Sequence, residues 1–399
     1  LAPLVSVPSL RGVLEFDNKR ADFERKLQAF RVGHRRQFAG TLRLRVRRHA
    51  LFEDSYAALR NKSAAEMRGR LSVKFAGEEG VDAGGLTREW YSLLARQIFN
   101  PNYALFMPSA DSPSFQPNPL SYVNDEHLGY FKFVGRVIGK AVVDRQVLDV
   151  HFTRSFYKHM LGIPVSFADM EAIDPTYYRS LCDLQEHSVD DLGVDLTFTA
   201  NVDDFGEVRE VELKPGGADI EVDDDNKAEY VRLLVRHRMT SAIRPQIDAF
   251  LSGFHEMAPR RLLSAFSAKE LELVISGTPE VDLDDLEANV TYHGGWTRQS
   301  KGIQRFWSVL RTLTQEELCL LVQFVTGTSQ IPLDGFKDLQ GMRGPQRFNV
   351  HRAHGGDERL PTAHTCFNQL DLPEYSSRRI LRQRLLTAIR EGGEGFGFV

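Results

Sequence analysis

Cysteine is scarce in this chain: Cys182, Cys319 and Cys366 are the only three in 399 residues, far apart in sequence. An odd, scattered set does not make a disulfide framework. The thiols are therefore expected free, as in a reducing compartment such as the cytoplasm or nucleus. Long apolar runs are missing too, and nothing approaches the ~18 residues of a membrane-spanning helix. Neither sign of charge dominates: 50 Lys and Arg stand against 54 Asp and Glu, a net charge of −4. That gives no bulk attraction to nucleic acid or an anionic bilayer, and neither is expected as a direct partner. The glycine-dense stretch 77–85 has neither the Gly-Lys-Ser/Thr of a P-loop nor the Rossmann spacing. Its acids Glu78, Glu79 and Asp82 would repel a phosphate. His351, His354, His364 and Cys366 lack the second cysteine pair or helical histidine pair of a zinc site. Asp223, Asp224 and Asp225 lack the spacing of a calcium loop. No metal and no cofactor are expected.

What is present is ordinary for a globular protein: 42% apolar and 26% charged residues, in a chain longer than one core usually serves. Two domains are the expectation. The apolar start with its two prolines reads as an extended strap, and a chain opening at Leu1 reads as a piece of something longer. Phe16, Phe23, Leu27 and Phe30 recur at helical spacing, predicting an amphipathic helix over 15–30 that lies on its own domain or takes part in dimerisation. The basic run 31–48 reads as a solvated linker face. Further helices are expected at 51–59, 86–98, 126–143, 148–160 and 226–250. Strands are expected at 71–75, 195–199 and 207–213. The change of character over 164–235 suggests a small α+β subdomain set into a helical domain. After it, Ser267 to Glu270 forms a capping box opening a helix. Gly294 and Gly295 then permit large backbone rotations at low steric cost, which fits a turn or an interdomain hinge. Helices at 300–313, 314–325 and 376–390 and a strand at 346–350 complete the pattern. The chain closes on four glycines with Phe396 and Phe398 among them, a tether suited to docking back near a site.

The stretch 360–368 (LPTAHTCFN) concentrates the chemistry. In extended backbone residues i and i+2 face the same way, so His364 and Cys366 can present side chains together. A nearby imidazole favours the nucleophilic thiolate. Thr365 and Asn368 are candidates to donate hydrogen bonds to an oxyanion. His-x-Cys alone also fits a buried cysteine beside a packed histidine. Three readings follow: an acyl carrier, a cysteine hydrolase, and an interaction module with an inert thiol. The hydrolase needs an acid or amide to orient His364, and the sequence offers none at an evident spacing.

Over Leu360–Tyr375 (LPTAHTCFNQLDLPEY) the chain resembles the HECT family of ubiquitin ligases. The resemblance extends to 324–329 (FVTGTS), 271–277 (LELVISG), 84–90 (GGLTREW) and 131–136 (FKFVGR). At 52–56 (FEDSY), 152–157 (FTRSFY) and 394–397 (EGFG) it looks most similar to the very large HECT ligases with UBA and WWE domains. It implies an α+β, bilobal fold. The strap and helix would occupy 1–48, an N-lobe 49–292 with a conjugating-enzyme-binding subdomain near 170–235, a hinge 293–295, and a C-lobe 296–399. It implies that Cys366 accepts ubiquitin as a thioester from a conjugating enzyme and passes it to lysines of protein substrates. By position it places Leu181, Tyr230 and Leu234 against the conjugating enzyme, with Gln185 where relatives often have leucine. Phe396 falls where the family keeps a phenylalanine that sets the lysine-transfer geometry. Glu394 or the α-carboxylate of Val399 would attract or deprotonate the incoming lysine.

Overall fold

The computed structural model describes residues 16–35, 40–78, 84–109, 114–171, 173–204, 206–277, 280–328, 330–332, 334–341 and 344–391. Helix α1 (Phe16–Arg35) is longer than its apolar spacing suggests. Phe23, Leu27 and Phe30 are buried on one side, and Phe23 meets Phe266 edge-on at 5.3 Å. Lys19 is buried on the same helix and pairs with Glu270 at 2.8 Å. The apolar face is thus covered within the chain.

The basic run is not a linker. Residues Thr41–Val46 form strand β1, with Leu42, Leu44 and Val46 buried and Thr41, Arg43 and Arg45 exposed. It pairs in parallel with β2 (Arg70–Phe75), Leu44 opposite Val73. Between them α2 spans Leu51–Leu59. Helix α3 (Gly85–Ile98) and helix α4 (His127–Asp144) lie where periodicity places them. The helix expected over 148–160 is only α5 (Arg154–Leu161). Its first residues stay extended instead, with Phe152 bridged to Phe115.

In the subdomain, α6 (Pro175–Glu186) is followed by β3 (Thr199–Asp204) and β4 (Glu207–Glu212), which form an antiparallel hairpin. The first strand lies after its expected position because the turn at Gly206 (φ +89°) fixes the register. The single helix expected over 226–250 is two, α7 (Lys227–Met239) and α8 (Arg244–Met257). Pro245 lacks an N–H and sits in the first turn of α8, so it starts a helix instead of lying inside one. Helix α9 (Ala268–Ser276) opens on the expected capping box: Ser267 N–H donates to Glu270 at 2.7 Å and Glu270 N–H to Ser267 Oγ at 3.3 Å.

The remaining elements are β5 (Thr291–His293), α10 (Lys301–Leu310), α11 (Gln315–Thr326), β6 (Asn349–Ala353), β7 (Thr362–His364), β8 (Gln369–Pro373) and α12 (Arg378–Glu391). The strands order β7-β8-β6-β5, antiparallel at the β7–β8 pair and parallel elsewhere. Tyr292, Val350, Leu370 and Ala363 line up across the sheet and pack into a core with Ile303, Phe306, Leu321, Val325 and Leu385. The opposite face carries Thr291, His293, Asn349, His351, Gln369, Asp371, Thr362 and His364, as strand alternation requires.

The chain divides into two compact units. One comprises 1–28, 98–139 and 151–272; the other comprises 29–97, 140–150 and 273–399. In the first, α4 and α8 approach so closely that a Cβ on Gly135 would lie 2.1 Å from the Phe250 carbonyl oxygen. A Cβ on Gly253 would lie 2.0 Å from that of Lys132. The subdomain has its own core of Phe198, Val222, Val231 and Met239 with their neighbours. The second unit contains the four-stranded sheet and the stretch 360–368.

Candidate active site around Cys366

Strand β7 runs into a single 3₁₀ turn, Thr365–Phe367, with Cys366 at its centre. The chain leaves the turn at Asn368 in the left-handed region (φ +49°), which asparagine tolerates better than most residues, and returns as β8. Asn368 N–H closes the turn on the Thr365 carbonyl at 3.3 Å. Three buried side chains, Arg88, Asn349 and Asn368, then fix it. Asn349 Nδ2 donates to the Phe367 carbonyl at 2.8 Å, and Asn349 N–H to that of Asn368 at 2.8 Å. Asn368 Nδ2 donates to the Gln346 carbonyl at 2.7 Å and to that of Gln340 at 3.2 Å. From α3, the Arg88 guanidinium donates to the carbonyls of Gln340 and Thr365.

This overturns one expectation: both amide hydrogens of Asn368 are committed to backbone carbonyls, so Asn368 shapes the turn and is not an oxyanion donor. Arg88 was not singled out from the sequence. Its neighbours on the helix show why it points at the turn. Successive helical residues are about 100° apart. Trp90 points inward and donates Nε1–H to Ser55 Oγ at 2.9 Å. Glu89 pairs with Arg48 at 2.6 Å, and burial pushes its carboxyl above the usual range.

His364 is exposed, with Nε2 3.1 Å from Asp371 Oδ2. The other carboxylate oxygen accepts from Gln369 Nε2 at 2.6 Å. An orienting acid for His364 therefore exists. The β7–β8 hairpin supplies it by pairing Thr362 with Asp371 and His364 with Gln369. Its only sequence signal was polar alternation on two adjacent strands. Next in the row, the rings of His351 and His293 stack at 4.5 Å. Burial, then the neighbouring His293, depress the His351 imidazole. Among the described residues no cluster of three or more His, Cys, Asp or Glu is placed to hold a metal.

The other candidates lie apart. Leu181, Tyr230 and Leu234 are each no more than 6% exposed, in the core of the subdomain. That corrects their assignment as surface contacts: they hold the subdomain together. Gln185 instead lines an open groove of about 420 Å³ with Phe167, Val231, Arg232 and Arg236. Gly294 and Gly295 have φ of +68° and +86° and follow directly on β5. Glu394 and Phe396 lie outside the described residues. No helix among the described residues is long and apolar enough to cross a membrane.

Residues 92–399 match the family described as HECT-domain (ubiquitin-transferase). The Arabidopsis thaliana protein named E3 ubiquitin-protein ligase UPL1 is 52% identical over 405 residues, covering 100% of this chain and 11% of that protein. The Mus musculus E3 ubiquitin-protein ligase HUWE1 is 51% identical over 386 residues, 96% of this chain and 9% of that protein. The Saccharomyces cerevisiae E3 ubiquitin-protein ligase TOM1 is 47% identical over 387 residues, 96% of this chain and 12% of that protein. The chain spans about a tenth of the length of these curated relatives.

Proposed function

This chain belongs to the HECT-domain (ubiquitin-transferase) family, and from that premise we propose that it is a ubiquitin-ligase catalytic module working through Cys366. The Cys366 thiolate attacks the thioester carbonyl of a charged conjugating enzyme, whose own thiolate leaves. Ubiquitin's C-terminal carbonyl is then bonded to Cys366 Sγ. The amine of a substrate lysine attacks that carbonyl next, passes a proton to Glu394 or the α-carboxylate of Val399, and expels the Cys366 thiolate as the isopeptide bond forms. The incoming thioester already carries the driving force, so neither step calls on a nucleotide or a metal.

The observation that carries this reading is the 3₁₀ turn centred on Cys366, tied at its carbonyls by buried donors. A thiol carrier that meets two different partners in turn needs a fixed presentation. The other cysteines have no such setting. Cys182 lies on α6, and Cys319 on α11 is half-buried, its thiol pushed up by that burial.

The bilobal division at 293–295, and the role of Gly294 and Gly295 as its hinge, belong to the same proposal. Positive φ at both glycines supports it, as such positions accept rotations that other residues resist. We infer also that the surface of the 170–235 subdomain seats the conjugating enzyme, with Leu181, Tyr230 and Leu234 bracing it from beneath.

The test is incubation with activating enzyme, charged conjugating enzyme and ubiquitin, with products separated without reductant. A reductant-sensitive ubiquitin adduct is expected that is lost in Cys366→Ala and kept in Cys182→Ala and Cys319→Ala. An adduct that survives Cys366→Ala would overturn the assignment.

A further inference from the structure

We propose that Arg88 is a positioning residue for the acyl-carrier thiol: its guanidinium grips the turn that presents Cys366 and sets the rate at which that sulfur reacts. The inference rests on the reading of Cys366 as the ubiquitin acceptor and goes beyond it.

Arg88 is nearly fully buried. Burying a guanidinium is costly unless its charge and its donors find partners. Here NH2 donates to the carbonyl of Thr365, the residue immediately before Cys366, and NH1 donates to that of Gln340. The Gln340 carbonyl also receives Asn368 Nδ2 at 3.2 Å. Arg88 and Asn368 therefore reach the two ends of the turn 365–368 and meet on one shared oxygen. The rigid, planar fork of an arginine spans two carbonyls at once, whereas an ammonium is a single point on a flexible stem. Packing supports the same placement: a Cβ on Gly327 would sit 3.7 Å from Cβ of both Arg88 and Thr365. Gly327 itself (φ +81°) ends α11, so three segments converge on the turn.

The geometry makes a kinetic claim. On the proposed lobe division Arg88 belongs to the N-lobe and the turn to the C-lobe. The grip therefore acts on the acyl transfer made with Arg88 on the turn, and a loosened turn slows that step. Substrate binding elsewhere on the chain is left alone. A role limited to folding would instead reduce the amount of competent protein.

The experiment compares wild-type chain with Arg88→Lys, Arg88→Gln and Arg88→Met in single-turnover reactions. Rate constants and amplitudes are read separately for thioester formation from charged conjugating enzyme and for discharge to free lysine. Arg88→Gln keeps a planar donor to one carbonyl and provides a folded variant should Arg88→Met melt. The expected result is a rate constant reduced at least tenfold in Arg88→Met for one of the two steps, the one made with Arg88 on the turn, which is about 1.4 kcal/mol. Amplitude and the apparent KM for the charged enzyme stay near wild type, and Arg88→Lys and Arg88→Gln fall in between. Rate constants within twofold of wild type in a folded Arg88→Gln and Arg88→Met would overturn the proposal, as would a loss confined to amplitude or to KM. Failure of the wild-type chain itself to form an adduct on Cys366 would be a different result, sinking the acceptor assignment.

Discussion

Asn368 sits one residue beyond the end of the Cys366 turn, fully buried, with φ at +49°. Its side-chain amide satisfies two carbonyls from segments far off in sequence, Gln340 and Gln346. Replacing it with alanine removes both donors and leaves a residue ill suited to the left-handed region. Each loss is of order 1–2 kcal/mol. Asn368→Ala is expected to lower unfolding stability by about 2–4 kcal/mol, read as a reduced urea midpoint at unchanged slope. An unchanged midpoint would show that the amide contributes nothing to the turn. The sequence marked Asn368 as interesting for the wrong reason. In a linear motif a polar residue two after a nucleophile reads as an oxyanion donor, and only the fold reveals that its hydrogens are already taken. Asp371 was missed for the related reason that a partner across a hairpin is set by register, which His364 alone does not announce. Arg88 lies 277 residues before Thr365, and nothing local in either stretch points to the other.

Elements were legible where one periodicity ruled and failed where two signals competed. Helices α1, α3, α4, α11 and α12 follow from apolar residues at helical spacing, and the capping boxes at Ser267 and Thr314 are both formed. Strand β1 was hidden by its arginines, yet its Leu-Arg-Leu-Arg-Val alternation is the period of a strand with one face buried. The break between α7 and α8 was lost because the helix was carried through Pro245 to residue 250, whereas Pro245 marks the first turn of the next helix. The glycines of α4 and α8 carry the firmest consequence at this scale. Intrinsic propensity alone says that Gly135→Ala should stabilise a helix by roughly 1 kcal/mol. The contact says otherwise, since the new methyl would lie 2.1 Å from a backbone oxygen on α8 that cannot swing aside. Overpacking of this kind costs about 1–3 kcal/mol, so the net effect is expected to be destabilising. Thermal unfolding of Gly135→Ala measures the sign directly, and a raised midpoint would mean that the two helices part at little cost.

At the scale of the whole molecule, the histidines make stability depend on pH in a definite direction. His127, His159, His237, His255 and His351 all have imidazoles depressed below the usual value, with burial the largest cause in each. As pH falls through the ordinary imidazole range near ~6.5, the unfolded chain takes up protons on these rings before the folded chain does. Stability rises with pH wherever the unfolded state binds more protons, so acidification is destabilising over this window. The salt-bridged or hydrogen-bonded acids act lower. Asp54 and Glu66 are drawn down to about 2, the first by Arg47 and the second by the Ser63 backbone N–H and Lys62. Their stabilisation is present above the normal carboxylate range and is lost only as pH falls below it. Glu89 opposes the trend: burial raises its carboxyl, so its folded form binds a proton more readily than its unfolded form and gains on acidification. Among the described residues, five such imidazoles against one such carboxyl decide the sign. The urea midpoint is expected to fall steadily between about pH 7.5 and about pH 5.5, before most carboxylates titrate. A flat or rising midpoint across that interval would mean that these histidines are charged in the folded protein. His159→Gln should flatten part of the slope, because burial depresses its ring by more than the 3.0 Å contact from Nε2 to the Met239 carbonyl restores.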